Sequence, residues 1–154
     1  MSLRSLAVPL FFLTMVLFLG TSYFGADRSS LVIVPLIKAI APGASPHQVR
    51  LAHLMVRKLA HITEYAMLAV SWFAALVGNP ERTPRRAAWL ALAVCLACAV
   101  LDETHQAFLP TRTASPLDVM LDGVAALLAL VAARSYTESG GTGTVAPVVV
   151  PVGD

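Results

Sequence analysis

Four apolar runs dictate most of what this chain can become. Residues 5–20, 57–77, 87–108 and 117–133 are each close to the length needed to cross a bilayer, whose hydrocarbon core of about 30 Å takes roughly 20 residues of helix. In lipid the backbone must satisfy its own N–H and C=O groups, so runs of this kind fold as helices and not as open sheet. Composition agrees: 57% of the 154 residues are hydrophobic and 13% charged, against about half and a quarter in soluble proteins, and the mean hydropathy is +0.74. The expectation is an all-α membrane protein, an up-down bundle of about four transmembrane helices in residues 1–134. Residues 135–154, rich in Gly, Pro, Thr and Val without a period, are expected to be a disordered tail. A formal charge of +2 with no dense Lys/Arg block gives no ground for a nucleic-acid partner.

Start and stop signals divide the runs. The first, SLAVPLFFLTMVLFLG, is longer than a secretory signal core, and TSYFGAD is a poor cleavage site, so an uncleaved helix is expected, with Pro9 near its start. Residues 24–50 read as a loop. Within it, LVIVPLIKAIAPG is too short and too broken by Pro35 and Pro42 to span, and suits the interface or a tucked position against the bundle. Ser45, Pro46 and Gln48 form a capping box that opens an unbroken helix to Gly78. That helix is longer than the bilayer is thick, so its first turns, with His47, Arg50 and His53, should project into the headgroups. Ser115-Pro116 repeats the grammar before the last run, with Asp118 at the third position. Cys95 and Cys98 spell C-x-x-C inside an apolar helix, a setting that suits small buried thiols and not a redox motif. Lys and Arg in short loops put Arg4, Arg82, Arg85, Arg86 and Arg134 on one side, predicting both termini in the cytoplasm.

The chemistry gathers in residues 101–122, LDETHQAFLPTRTASPLDVMLD, which join two apolar runs yet hold four carboxylates, a histidine, a glutamine and an arginine. The predicted topology brings this stretch to the same leaflet as the start of the second long helix. There Arg57, Lys58, His61, Glu64 and Tyr65 fall within about 120° of arc, with Thr63 turned away. Snorkelling accounts for Arg57 and Lys58; it does not account for Glu64, which is deeper and short. Asp102, Glu103 and Gln106 share a second arc, with His105 beside it at what could be an ordinary polar helix end. Asp118 could be a simple cap, whereas Asp122 lies a turn deeper, beyond the reach of capping. Acids at a helix C-terminus oppose the dipole, so Asp102 and Glu103 want a cation, with Arg112 and Lys58 as candidates. Five acids (Glu64, Asp102, Glu103, Asp118, Asp122) face three bases (Arg57, Lys58, Arg112). Such an excess suits a general acid or base, or oxygen and imidazole ligation of a divalent metal. No motif calls for a cofactor.

KLAHITEYAMLA followed by LDETHQAFLPTRTASPLDVMLDGVAALL resembles the VanZ-like family of small bacterial membrane proteins, named for a teicoplanin-resistance protein. The resemblance rests on Lys58, His61 and Tyr65, then Asp102, Glu103, Gln106, Phe108, Pro110, Arg112, Ser115 and Asp118, then Asp122-Gly123, and covers about residues 55–133. Glu64 is a departure, and Asp122 stands where asparagine is common. The resemblance implies the bacterial cytoplasmic membrane and a role in cell-envelope physiology or teicoplanin-type glycopeptide resistance.

Three functions fit these residues. In the first, a polar pocket at the outer leaflet binds an anionic lipid or lipid-linked wall precursor through Lys58, His61, Tyr65, Asp102, Glu103, Gln106, Arg112, Asp118 and Asp122. Arginine there would grip phosphate by its two-pronged donor. The second is an enzyme using His61 with Glu64, Asp102 or Asp122 on a lipid-linked substrate, with or without a metal. In the third, the charges are interhelical glue.

Overall fold

The computed structural model describes residues 3–21, 26–109 and 115–140, and among them finds five helices and no strand. They are α1 (Leu3–Leu19), α2 (Ala26–Ile40), α3 (Pro46–Val77), α4 (Pro84–Ala107) and α5 (Pro116–Gly140). Each of the four apolar runs becomes one helix. α3, α4 and α5 are long and apolar enough to cross a membrane. α1 has 17 residues, the short end of the spanning range.

The local signals act as their chemistry requires. Ser45 caps α3 by accepting the Gln48 N–H at 3.3 Å, and the Gln48 side chain accepts the Ser45 N–H at 2.7 Å. Gly78 closes the helix. α4 begins three residues before the expected Ala87, because Thr83 accepts the Arg86 N–H at 3.3 Å and Pro84 takes the first helical position. That Thr-Pro pair repeats the grammar of Ser45-Pro46 and was the signal for this boundary.

Two expectations need correction. Residues 24–50 are not one loop: α2 fills Ala26–Ile40, with Pro35 inside it. An internal proline forfeits one backbone bond, here to the carbonyl of Leu31, on a stretch where Leu31 and Val32 are exposed. The last helix also does not end at Arg134 but runs to Gly140, held in its last turns by an Arg134–Glu138 ion pair four residues apart. Residues 141–154, the rest of the expected tail, lie outside the described residues.

α3 is the central element, packing against α1, α2, α4 and α5, and α4 also packs on α5. The core forms from Tyr65, Leu68, Ala69 and Phe73 of α3, a ladder of small residues on α4, and Ala126 and Leu130 of α5. The α4 ladder is Ala87, Ala91, Cys95 and Ala99, one per turn and all at most 1% exposed. Small side chains let helix backbones approach closely where no hydrophobic effect drives them together. Cys95 and Cys98 are buried free thiols within this seam. Gly123 belongs to the same close approach, since a Cβ there would lie 2.9 Å from the Leu96 side chain.

α1 runs antiparallel to α3: Val8 and Phe12 lie beside Val70 and Ala74, while Val16 and Gly20 lie beside Val56 and Ala60. α2 then folds back over the first turns of α3, with Ser29 and Ile33 toward it. His53, expected at the level of the headgroups, is covered by α2, 8% exposed, with Nε2 at 3.0 Å from the Ser29 hydroxyl.

Candidate functional site

The first half of α3, the last turns of α4 and the start of α5 meet at one end of the bundle, and the polar residues sort there into four groups. The deepest lies on the α3–α5 seam. His61 Nδ1 is 3.7 Å from Asp122 Oδ2, close enough for charge pairing but too long for a hydrogen bond. Tyr65, one turn further along α3, and Asp122 are each 1% exposed. His61 Nδ1, Asp122 Oδ1 and the Tyr65 hydroxyl are buried with no hydrogen-bond partner among the described residues. Each such atom costs roughly 1–3 kcal/mol, so this seam is not arranged for stability. Local rules are broken in this way mainly at functional sites.

The second group is at the rim. Lys58 and Asp118 form an ion pair between α3 and α5 and border a shallow groove with Ser115 and Leu117, apart from the cleft described below. Asp118 therefore spends its carboxylate on Lys58, while its backbone N–H bonds the Ser115 carbonyl at 2.8 Å.

The third group ends α4. Asp102, Glu103 and Gln106 are buried, at 4%, 7% and 4% exposure, whereas His105 is exposed. Gln106 Nε2 donates to Asp102 Oδ2 at 2.6 Å. Glu103 Oε2 accepts the backbone N–H of Ser115 at 2.7 Å, tying the entry of α5 to the end of α4. The sequence assigned Lys58 and Arg112 as cations for these two acids. Lys58 goes to Asp118 instead, and Arg112 lies outside the described residues.

The fourth group lines a cleft of about 130 Å³ between α1, α2, α3 and α4. Val16, Leu19, Ile33, Val56 and Ala60 make its apolar walls, and Ser29, Arg57, His61, Glu64 and Asp102 its polar ones. His61 thus belongs to both the cleft and the seam, with Asp122 behind it. Arg57 Nη1 donates to the Ser29 hydroxyl at 3.2 Å, so this guanidinium is held against α2 and does not snorkel. Gly20 completes the wall. A Cβ at Gly20 would collide with the Asp102 carboxylate, so the end of α1 reaches α4 only because this residue has no side chain.

The three sequence-distant pieces meet, but not in one chamber. Among the sequence-assigned candidates, His61, Glu64 and Asp102 line the cleft; Tyr65 and Asp122 sit behind it; Gln106 holds the Asp102 carboxylate within α4; Lys58, Glu103 and Asp118 hold helices to one another. Sequence reading missed Gly20 and Ser29; it counted Arg57 among the bases facing the acids but, with snorkelling to account for it, left it out of the ligand-binding set. The one available signal was the arc that Arg57 shares with His61 and Glu64. Among the described residues, no three His, Cys, Asp or Glu side chains gather to hold a metal ion.

Chemically, the cleft offers one guanidinium, one imidazole and two carboxylates beside an apolar wall. That set can hold an amphiphile by its phosphate, and an imidazole backed by a buried carboxylate can move a proton. A family model described as VanZ/LLP1 matches residues 6–137, most of the chain. No curated protein and no solved structure matches it.

Proposed function

Because the chain belongs to the VanZ/LLP1 family, we propose that it is a multi-pass protein of the bacterial cytoplasmic membrane that holds an anionic lipid or lipid-linked wall precursor in the cleft at its polar end. With both termini in the cytoplasm, this end faces the outer leaflet. Cell-envelope physiology, including teicoplanin-type glycopeptide resistance, is the setting that the family name suggests. The observation that carries the reading is the meeting of Arg57, His61, Glu64 and Asp102 with an apolar wall in one cleft. Arg57 is the phosphate ligand, since its guanidinium lines the cleft and its fork can present two parallel donors to one phosphate. The apolar wall of Val16, Leu19 and Ile33 receives the first methylenes of the tail.

Lipid mass spectrometry on the purified protein tests this. Arg57→Ala should lose a headgroup class that the wild type retains, while its thermal unfolding in detergent stays within a few degrees. An identical lipid complement in the two proteins would overturn the reading.

A second reading is favoured by the position of His61 between the cleft and Asp122. Asp122 orients the neutral imidazole, His61 takes a proton from a water or hydroxyl in the cleft, and the Asp122 carboxylate stabilises the imidazolium so formed, making the protein a membrane-embedded hydrolase or transferase. Asp122→Asn would then stop turnover of the bound lipid while leaving its retention intact.

A further inference from the structure

The opposite end of the bundle carries a second feature, independent of the cleft. We propose that the groove between the start of α4 and the end of α5 seats one anionic phospholipid, with an acyl chain in the groove and its phosphodiester between Arg85 and Arg134.

α4 leaves this end as α5 returns to it, and both helices show the groove the same stripe. On α4, Arg85, Trp89 and Leu92 follow at spacings of four and three; on α5, Leu127, Val131 and Arg134 repeat the pattern in reverse. Antiparallel packing therefore sets the two guanidiniums at one level, with apolar side chains below both. Seven residues of helix rise about 10 Å, enough to meet the upper part of an acyl chain. The groove between them measures about 260 Å³. Trp89 is 61% exposed, and an amphipathic indole beside a charged end suits the headgroup level.

The charge pattern selects the occupant. Arg134 Nε donates to Glu138 at 2.8 Å, which leaves the rest of that guanidinium available. Arg85 has no carboxylate partner among the described residues. The site thus holds about one uncompensated positive charge above an apolar floor, the complement of a lipid with one negative phosphate. A second copy of the chain docked through this patch would set arginines against arginines.

The test uses the full chain in nanodiscs of phosphatidylglycerol and phosphatidylcholine, equimolar with matched chains, and native mass spectrometry of the lipids retained on release. The wild type should prefer phosphatidylglycerol by about fivefold, the effect of one basic side chain near a membrane surface. Arg85→Gln with Arg134→Gln, made in an Arg57→Ala background so that lipid in the cleft does not contribute, should bring the ratio to parity, and Arg50→Gln, at the other end, should leave it unchanged. Glu138→Gln frees the second guanidinium and should raise the preference a further severalfold, a gain that misfolding cannot imitate. A preference that survives the double substitution in that background, no gain in Glu138→Gln, or a preference already lost in Arg57→Ala alone would overturn the proposal. Free glycerol phosphate at millimolar concentration should not displace the lipid. Full displacement would mean a soluble phosphate site and would also overturn it.

Discussion

One face of α4 carries two chemistries. From Ala87 to Ala99 it is a ladder of small apolar residues, closed against α3 and α5; from Asp102 to Gln106 the same face becomes acid and amide. The first half follows the small-residue packing of helices in lipid, with one exception beside it: the Trp72 indole N–H of α3, packed on this core, is buried without a hydrogen-bond partner among the described residues. The second buries Asp102, Glu103 and Gln106, and its neighbourhood leaves polar atoms of His61, Tyr65 and Asp122 unbonded among the described residues. The difference separates what holds the bundle together from what the bundle holds in place. A polar end with unsatisfied groups persists only because the apolar half fixes the helix positions around it.

The comparison predicts that the largest loss of stability comes from the apolar half. Ala126 is 0% exposed, in the core cluster with the α4 ladder. Ala126→Leu forces the helices apart and should lower stability in detergent by about 2 kcal/mol, typical of overpacking, measured by thermal unfolding. The wild-type lipid complement should survive in the fraction that stays folded. If lipid were lost before the fold, the two halves would not be separable in this way.

Gly20→Ala probes the polar half by geometry alone. The new methyl meets the Asp102 carboxylate, which must then swing away from its 2.6 Å bond to Gln106. Losing that bond costs about 1 kcal/mol, partly offset because alanine has less backbone freedom to lose on folding and the φ at this position is not positive. The retained lipid should fall several-fold. Combined with Asp102→Asn it should be far from additive, because both changes act on one carboxylate. Simple addition of the two effects would detach Gly20 from the site.

How much of this was legible in the sequence follows from what sequence can encode. Caps are local, so Ser45, Pro46 and Gln48 announced α3 correctly, and hydropathy announced the four apolar helices. The gathering of Asp102, Gln106, Glu103 and Asp122 at one end followed from topology, since antiparallel helices return polar termini to the same level. α2 was hidden because Pro35 and Pro42 read as breakers, and nothing local says that a proline sits on a helix face that tolerates the lost bond. Gly20 and Ser29 were hidden for a different reason: each matters through a contact with a distant element, Asp102 in one case, His53 and Arg57 in the other. Charge counting could tell that Lys58 needed an acid, but only the packing of α3 on α5 selects Asp118 over Asp102.

Asp122→Asn separates charge from shape. Asparagine keeps the volume and adds a donor at a site where Asp122 Oδ1 is unpartnered among the described residues, so stability should change by less than about 1 kcal/mol. Turnover of a bound lipid should nevertheless cease if His61 works as a base, and pulse-labelling of the retained lipid would report it. A substitution by asparagine that destabilised the protein severely would place Asp122 with the bundle's scaffold instead.

The smallest effect is expected at Lys58, one of the residues that sequence gave to ligand binding. Its side chain is 45% exposed and that of Asp118 19%, and ion pairs open to solvent contribute about 0–1 kcal/mol. Lys58→Met should therefore shift unfolding by no more than about 1 kcal/mol. Asp118→Asn in the same background should add almost nothing, since the pair is already broken. Retained lipid should match the wild type, because neither residue lines the cleft. Loss of lipid in Lys58→Met, with Asp118→Asn innocuous alone, would move the binding site from the cleft to the shallow rim groove between α3 and α5 and would reverse the division of roles drawn above.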